Sequence, residues 1–246
     1  MPRCLVVQHV EPEGPYAIGA ALRAAGGTVE VCRVFDGDAL PPDADGLDGL
    51  VVMGGPASAT GDHGFPSRRR ELALLSDAVE RGTPTLGVCL GAQLLALAAG
   101  GEVVPGGAGA EIGWGPVELV AAAGDDPLLA GLPVRPTVLH WHADTFELPA
   151  GATLLASNHR YPNQAFRVGE GAWGLQFHVE VDRPAVDAFV QAFGDEARAA
   201  GADPAAIGDE ADRHLEVLAP ARDAVVARFA GLVVGQHHDP ELVGRP

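Results

Sequence analysis

The sequence predicts an α/β sandwich with a mainly parallel central sheet and a helical extension at its carboxyl-terminal end. Three observations carry that prediction. From Cys4 to Ala99, short aliphatic runs alternate with Ala- and Leu-rich segments of helical length, the pattern of repeated strand–helix units. From Glu102 to Pro149 the chain is rich in Gly and Pro and carries short strand-like pieces of a more antiparallel character. After Pro184 the pattern becomes helical. At 246 residues, 47% hydrophobic and 20% charged, the chain is long enough to bury a core without disulfides or a structural metal.

The elements follow in order. Cys4 to Val7 reads as a strand and Tyr16 to Ala25 as a helix stopped by Gly26-Gly27. Thr28 to Val34 and Gly49 to Met53 read as strands, separated by the turn residues Pro41-Pro42-Asp43. Arg68 to Arg81 is amphipathic, with Leu72, Leu75 and Val79 at helical spacing. Thr83 to Val88 is an apolar strand, and Leu90 to Ala99 a helix ended by Gly100-Gly101. Val117 to Val120, Thr137 to Trp141, Thr153 to Ala156, Ala165 to Val168 and Trp173 to Val179 are strand-like. Ala185 to Phe193, Asp209 to Leu218 and Arg222 to Phe229 are helical, and His237 to Pro246 is a polar tail. Residues 1–183 are therefore expected to form one domain, with residues 184–246 packed on it.

Composition excludes several functions. Sixteen basic residues, all Arg, against 33 acidic ones give a formal charge of −17. So acidic a surface repels a phosphate backbone and an anionic membrane, which argues against nucleic-acid and membrane partners. The run Arg68-Arg69-Arg70 reads as a solvated first helical turn. No stretch reaches the roughly 18 apolar residues of a membrane span, and the amino-terminal apolar run is too short for a signal peptide. Cys4, Cys32 and Cys89 are odd in number and lack zinc-site spacing, so a reducing, cytoplasmic compartment is expected.

The most informative segment is Gly87-Val88-Cys89-Leu90-Gly91-Ala92-Gln93. A strand runs into Cys89 and a helix starts at once after it, with glycines two residues to either side. This is the nucleophile-elbow pattern with Cys in place of Ser. The glycines let the chain turn sharply, and the thiol stands at a helix amino terminus, where partial positive charge favours thiolate. A plain buried Cys at a tight junction would satisfy the same spacing. In Phe177-His178-Val179-Glu180, strand alternation would put His178 and Glu180 on one side, so that Glu180 orients the base. Val51-Val52-Met53-Gly54-Gly55-Pro56 ends a strand in bare backbone. The amides of Gly55 and Leu90 are the natural oxyanion donors, because Pro56 has none.

Together these segments resemble the class I glutamine amidotransferases, most closely the glutaminase domain of GMP synthase and its free-standing relatives. The Gly-Gly-Pro loop, the Gly-x-Cys-x-Gly-x-Gln elbow and the Phe-His-x-Glu strand occur in the family's order. The stretches Glu111 to Trp114, His140 to Phe146 and Gln164 to Phe166 are similar too. The resemblance covers about Leu5 to Val181 and implies a flavodoxin-like three-layer fold. It further implies that Cys89 attacks the side-chain amide of glutamine, with His178 as base and Glu180 orienting it. Gln93 matches a substrate-contacting position, and Gly54, His142 and Asp144 would lie about the glutamine pocket. No cofactor or metal is implied. The ammonia would pass to a separate synthase partner, since the chain has no room for an acceptor domain. Two departures stand out. Val179 replaces a common Pro, which leaves the alternation intact. Ala110 stands where relatives carry a basic residue, which weakens the expectation of a structural role for Glu111.

Other readings remain open from the residues alone. His140, His142 and Asp144 alternate and could hold a metal for hydrolysis. A free-standing enzyme could use the same triad on γ-glutamyl amides or peptides. A scaffold could carry the triad and only bind a partner.

Overall fold

The first apolar run, Arg3–Gln8 (β1), lies between two parallel partners, Thr28–Arg33 (β2) and Gly49–Val52 (β3), in the computed structural model, which describes residues 1–236. Helix α1 (Tyr16–Ala24) links β1 to β2, and α2 (Arg68–Arg81) links β3 to β4 (Thr85–Val88). Helix α3 (Leu90–Ala98) follows after a single residue, Cys89. The middle of the chain supplies β5 (Glu102–Pro105), β6 (Glu111–Pro116), β7 (Glu118–Leu119), β8 (Thr137–His142) and β9 (Asp144–Glu147). It continues with β10 (Thr153–Ser157), β11 (Ala165–Val168) and β12 (Ala172–Leu175). Helices α4 (Arg183–Ala199), α5 (Pro204–Asp209) and α6 (Ala211–Gln236) end the described chain.

The main sheet has the order β2-β1-β3-β4-β12-β11-β10-β7, parallel from β2 to β12 and antiparallel beyond. Alternation along each strand divides the core between the two faces of the sheet. Cys4, Val6, Val51 and Leu86 face Ile18 and Leu22 of α1 and Val226, Phe229 and Val233 of α6. Leu5, Val7, Leu50 and Val52 face Leu74 and Leu75 of α2 and Leu94 and Leu95 of α3. The result is a three-layer α/β sandwich with the carboxyl-terminal helices built into one layer. No described helix is long and apolar enough to cross a membrane.

Several expectations need correction. The strand expected to run to Val179 ends at Leu175, because its ladder partner β4 ends where the chain turns at Cys89. Beyond it a single bridge to Leu139 holds His178. The two helices expected on either side of Pro220 are one helix, α6. The missing backbone donor of Pro220 is tolerated because Leu218, Ala221 and Val225 bury that stretch. Strands β5, β6 and β9 escape a propensity reading. β6 contains Gly113, Gly115 and Pro116, yet it pairs residue for residue with β8. Arg69 and Arg70 are exposed, as a solvated first turn implies, and Arg68 and Arg69 make surface ion pairs with Asp62. The His237–Pro246 tail lies outside the described residues.

Phe229 is fully buried between α6 and the sheet. Phe229→Ala is expected to cost about 3–5 kcal/mol. Urea denaturation should show that loss as one cooperative transition, because the helix shares the sheet's core.

Candidate active site

The corner between β4 and α3 is set by backbone contact. A Cβ at Gly91 would overlap the Val52 carbonyl oxygen, and one at Gly87 would overlap the Gly91 carbonyl oxygen. With those atoms absent, β3, β4 and α3 close on one another, and Cys89 is forced to φ 52°, ψ −106°. A positive φ at a non-glycine residue stores on the order of 1–3 kcal/mol, a strain found mostly at functional sites. The Cys89 amide bonds to the Leu175 carbonyl at 2.8 Å, and its own carbonyl accepts from Ala92 and Gln93, starting the helix. The nucleophile elbow read from the sequence is thus present.

His178 and Glu180 meet the thiol from the segment after β12. His178 Nδ1 donates to Glu180 Oε1 at 2.8 Å, with both side chains 1% exposed. This pairing arises without the regular strand expected for it. The His178 amide bonds to the Leu139 carbonyl at 2.8 Å, and Phe189 of α4 packs edge-on against the ring with centroids 4.9 Å apart. Nε2 is left without a hydrogen-bond partner of ordinary geometry and interacts with the Cys89 thiol. Burial pulls the proton affinity of His178 down, but Glu180 and the thiol more than reverse it, raising the ring's pKa well above its ordinary value. Burial pushes the Cys89 thiol up, against the opposing pull of His178 and the Leu90 amide. The thiol donates to the Trp141 carbonyl at 3.5 Å, and Gln176 Nε2 approaches the sulfur at 3.7 Å.

The Gly54-Gly55-Pro56 loop is held from beneath by a buried ion pair that the sequence reading missed. His9 Nδ1 donates to the Gly54 carbonyl at 2.9 Å, while its Nε2 meets Glu71 Oε2 at 2.7 Å. Burial disfavours the charged ring, yet Glu71 raises its pKa above the ordinary value. A Cβ at Gly55 would come within 2.7 Å of His9 Cβ. One signal was available: Glu71 lies three and four residues before Leu74 and Leu75, on the buried face of α2.

A small cleft opens over Cys89, lined among others by Gly55, Leu90, Gln93, Trp141, His142 and Asp144. Both oxyanion candidates and three of the four substrate-binding candidates therefore line it. Gly54 sits behind the lining, against Glu13 and His178. Gln93 Nε2 donates to Gln176 Oε1 at 3.2 Å and to the Asp144 carbonyl at 3.3 Å. His140, His142 and Asp144, left open from the residues alone as a metal set, do not share a side-chain cluster. Asp144 belongs to β9, and its carboxylate accepts from Ser58 at 2.7 Å. Glu111 joins the two histidines instead, so the Ala110 departure does not remove its structural role. It accepts from Asn158 and Gln164 and contacts His142, without any basic residue before it.

Residues 15–191 match the glutamine amidotransferase class-I family. The chain belongs to that family. It is 37% identical over 191 residues to YfeJ, a glutamine amidotransferase-like protein of Salmonella typhimurium, covering 75% of this chain and 80% of that one. It is 38% identical over 152 residues to the glutamine-hydrolysing GMP synthase of Porphyromonas gingivalis, 61% of this chain but only 28% of the synthase. Among solved structures, a glutamine amidotransferase from Thermotoga maritima superposes with a TM-score of 0.84 at 31% identity, over 93% of this chain and 98% of that one. One from Methylobacillus flagellatus gives 0.83 at 32% identity, over 94% of each. The class I fold and the GMP synthase-like resemblance read from the sequence are both correct.

Glu13 is a second residue of this amidotransferase site that sequence reasoning missed. It is 6% exposed, and burial raises its carboxyl pKa to about 7, against the lowering effect of His178. A Cβ at Gly54 would overlap its Oε2 and lie 3.1 Å from His178 Cε1. The glycine is therefore what lets a carboxylate stand beside the His178–Glu180 pair. A raised carboxyl pKa gives stability that is present below the ordinary value of 4.5 and lost as pH rises to about 7. Glu13→Gln is expected to be more stable than wild type at pH 8, by on the order of 2 kcal/mol. Denaturant midpoints should show that gain shrinking towards zero near pH 4.5.

Proposed function

We propose that this protein hydrolyses the side-chain amide of glutamine through a thioester on Cys89, and that the ammonia passes to a separate synthase partner. The observation that carries the reading is a strained Cys at a helix amino terminus facing a buried His whose other nitrogen is fixed by a carboxylate. Because Nδ1 donates to Glu180, Nε2 faces the thiol, and the raised proton affinity of His178 favours its holding the thiol's proton. Transfer of the thiol proton to Nε2 makes an imidazolium that Glu180 stabilises.

The thiolate then attacks the δ-carbon of bound glutamine. The carbonyl oxygen takes the negative charge, with the amides of Gly55 and Leu90, two residues that line the cleft with Cys89, as its hydrogen-bond donors. His178 gives its proton to the departing nitrogen, and ammonia leaves as the thioester forms. Water, deprotonated by the same ring, attacks the thioester and releases glutamate and the thiol. His9 and Glu71 take no proton from substrate; they position Gly54 and Gly55.

The cleft ends against Gln93, His142 and Asp144, polar groups suited to the amino-acid end of glutamine. Support for the partner comes from the curated relatives. The chain's match spans 28% of the length of the P. gingivalis GMP synthase, a glutamine-hydrolysing enzyme by name, which supports reading this chain as a hydrolysing unit that works with a separate synthase.

Purified protein is expected to release glutamate and ammonia from glutamine. Cys89→Ala should abolish turnover with the circular dichroism spectrum unchanged, and turnover near the wild-type rate would refute the assignment. Glu180→Gln should lower kcat by about 10²–10⁴-fold while KM changes little. Iodoacetamide should label Cys89 faster than an ordinary exposed thiol; an ordinary rate would support a scaffold that only binds. A tenfold or greater preference for a γ-glutamyl peptide in steady-state assays would move the activity to peptide hydrolysis.

A further inference from the structure

Beside the cleft over Cys89, three side chains converge on one point: Glu111 and His140, which the glutaminase reading leaves unused, and His142, whose ring also borders the cleft. Glu111 of β6 lies opposite His142 of β8 in the ladder, and His140 lies two residues back on the same face. One ligand atom from each falls within 4.8 Å of the others. Glu111 Oε2 is 3.1 Å from His142 Nε2 and 3.5 Å from His140 Nδ1. Ligands about 2.0–2.1 Å from a tetrahedral zinc ion stand roughly 3.4 Å apart, so these spacings already match the edges of such a site.

Donor accounting points the same way. His142 Nδ1 lies 3.0 Å from the Asp144 carbonyl, which can only accept, so that nitrogen carries the hydrogen. In a neutral ring, Nε2 then turns a lone pair towards the Glu111 carboxylate. His140 is 1% exposed, and neither of its ring nitrogens has a hydrogen-bond partner. Its Nε2 edge faces Gly115, which leaves Nδ1 directed at the same carboxylate. With the His140 hydrogen on Nε2, towards the Gly115 backbone, two lone pairs and a carboxylate meet on one spot and repel unless positive charge sits among them. A proton on His142 Nε2 would repair one of these contacts and leave His140 Nδ1 orphaned. A cation would satisfy all three.

The surroundings have the form expected around metal ligands. Asn158 Nδ2 donates to Glu111 Oε1 at 2.8 Å and Gln164 Nε2 to Oε2 at 2.9 Å, fixing the carboxylate. The Asp144 carbonyl fixes the His142 tautomer. We propose that Glu111, His140 and His142 bind one zinc-like divalent cation that braces the β6–β8 ribbon behind the cleft. Nitrogen and oxygen donors of this kind favour zinc over calcium or magnesium. The ion's task is structural. The hydrolytic nucleophile remains Cys89, so the proposal stands whether or not glutamine is the substrate.

The test uses untagged, metal-stripped Cys89→Ser protein, so that the thiol cannot contribute, titrated with Co²⁺ alone. Binding at this site predicts the strong visible absorption of tetrahedral cobalt, saturating at one equivalent and displaced by Zn²⁺. His140→Gln in the same background should lose the absorption, with its circular dichroism spectrum unchanged; equal titration in both proteins would overturn the proposal. Nitrogen NMR of ¹⁵N-histidine-labelled protein keeps the test open if His140→Gln fails to fold. Zn²⁺ should then shift Nδ1 of His140 and Nε2 of His142 together. A His142 ring protonated on both nitrogens and unmoved by Zn²⁺ would show that a proton, not a metal, holds the cluster.

Discussion

The structure depends on one close approach of backbone to backbone. β3, β4 and α3 meet with no side-chain atoms between them at Gly87 and Gly91, and the Val52 and Gly91 carbonyls occupy the space a Cβ would need. That contact forces the chain to turn within a single residue and leaves Cys89 at a positive φ. Strain at Cys89 is sustained because strands are locked on both sides: β3 pairs with β4 and β4 with β12. The same turn ends β4 and so deprives β12 of its partner, which releases the segment carrying His178 and Glu180 from the ladder. The elbow and the base are thus two consequences of one packing constraint.

Buried charge is the second theme, and it sorts by function. His9 with Glu71 lies under the Gly54-Gly55 loop, while His178 with Glu180 lies beside the thiol. Each pair has almost no exposure, so desolvation opposes it and its value lies in fixing geometry more than in net stability. Glu13 is different: no hydrogen bond anchors its carboxylate, and its proton affinity is high because it is buried near Glu180. A second carboxyl group beside His178, in addition to Glu180, acts on the Cys89 thiol and makes its electrostatics sensitive to pH beyond the titration of His178 itself.

Much of this was legible in the sequence because it depended on local pattern. The parallel half of the sheet, helices α1 to α3, and Cys89 between its glycines all come from hydrophobic period and chain turns, which are local properties. His178 and Glu180 were legible for their residue types and spacing, although the regular strand invoked to align them is absent; a bridge to Leu139 and packing on Phe189 do that work. What stayed hidden was set by contacts distant in sequence. Strand β6, with its glycines and proline, exists only because β8 pairs with it. The partnership of His9 with Glu71 joins the loop after β1 to helix α2, and the gathering of Glu111 with His140 and His142 needs two strands brought into register. Alternation within one strand suggested His140, His142 and Asp144; the true third member lies across the ribbon.

Strand β8 ties these parts together. Its backbone accepts the Cys89 thiol at Trp141 and the His178 amide at Leu139, so Cys89 and His178 both take their position from it. Its side chains point the other way into the Glu111 cluster, and its last residue, His142, also lines the cleft. A strand of six residues carrying both contacts cannot shift at one without shifting at the other, since hydrogen-bonded ladders move as units. Whatever charge balances Glu111, His140 and His142 therefore also sets where the Trp141 carbonyl stands against the thiol. Withdrawing that charge would let the histidines repel the carboxylate, and the resulting displacement would reach the reacting sulfur through the backbone of a single strand.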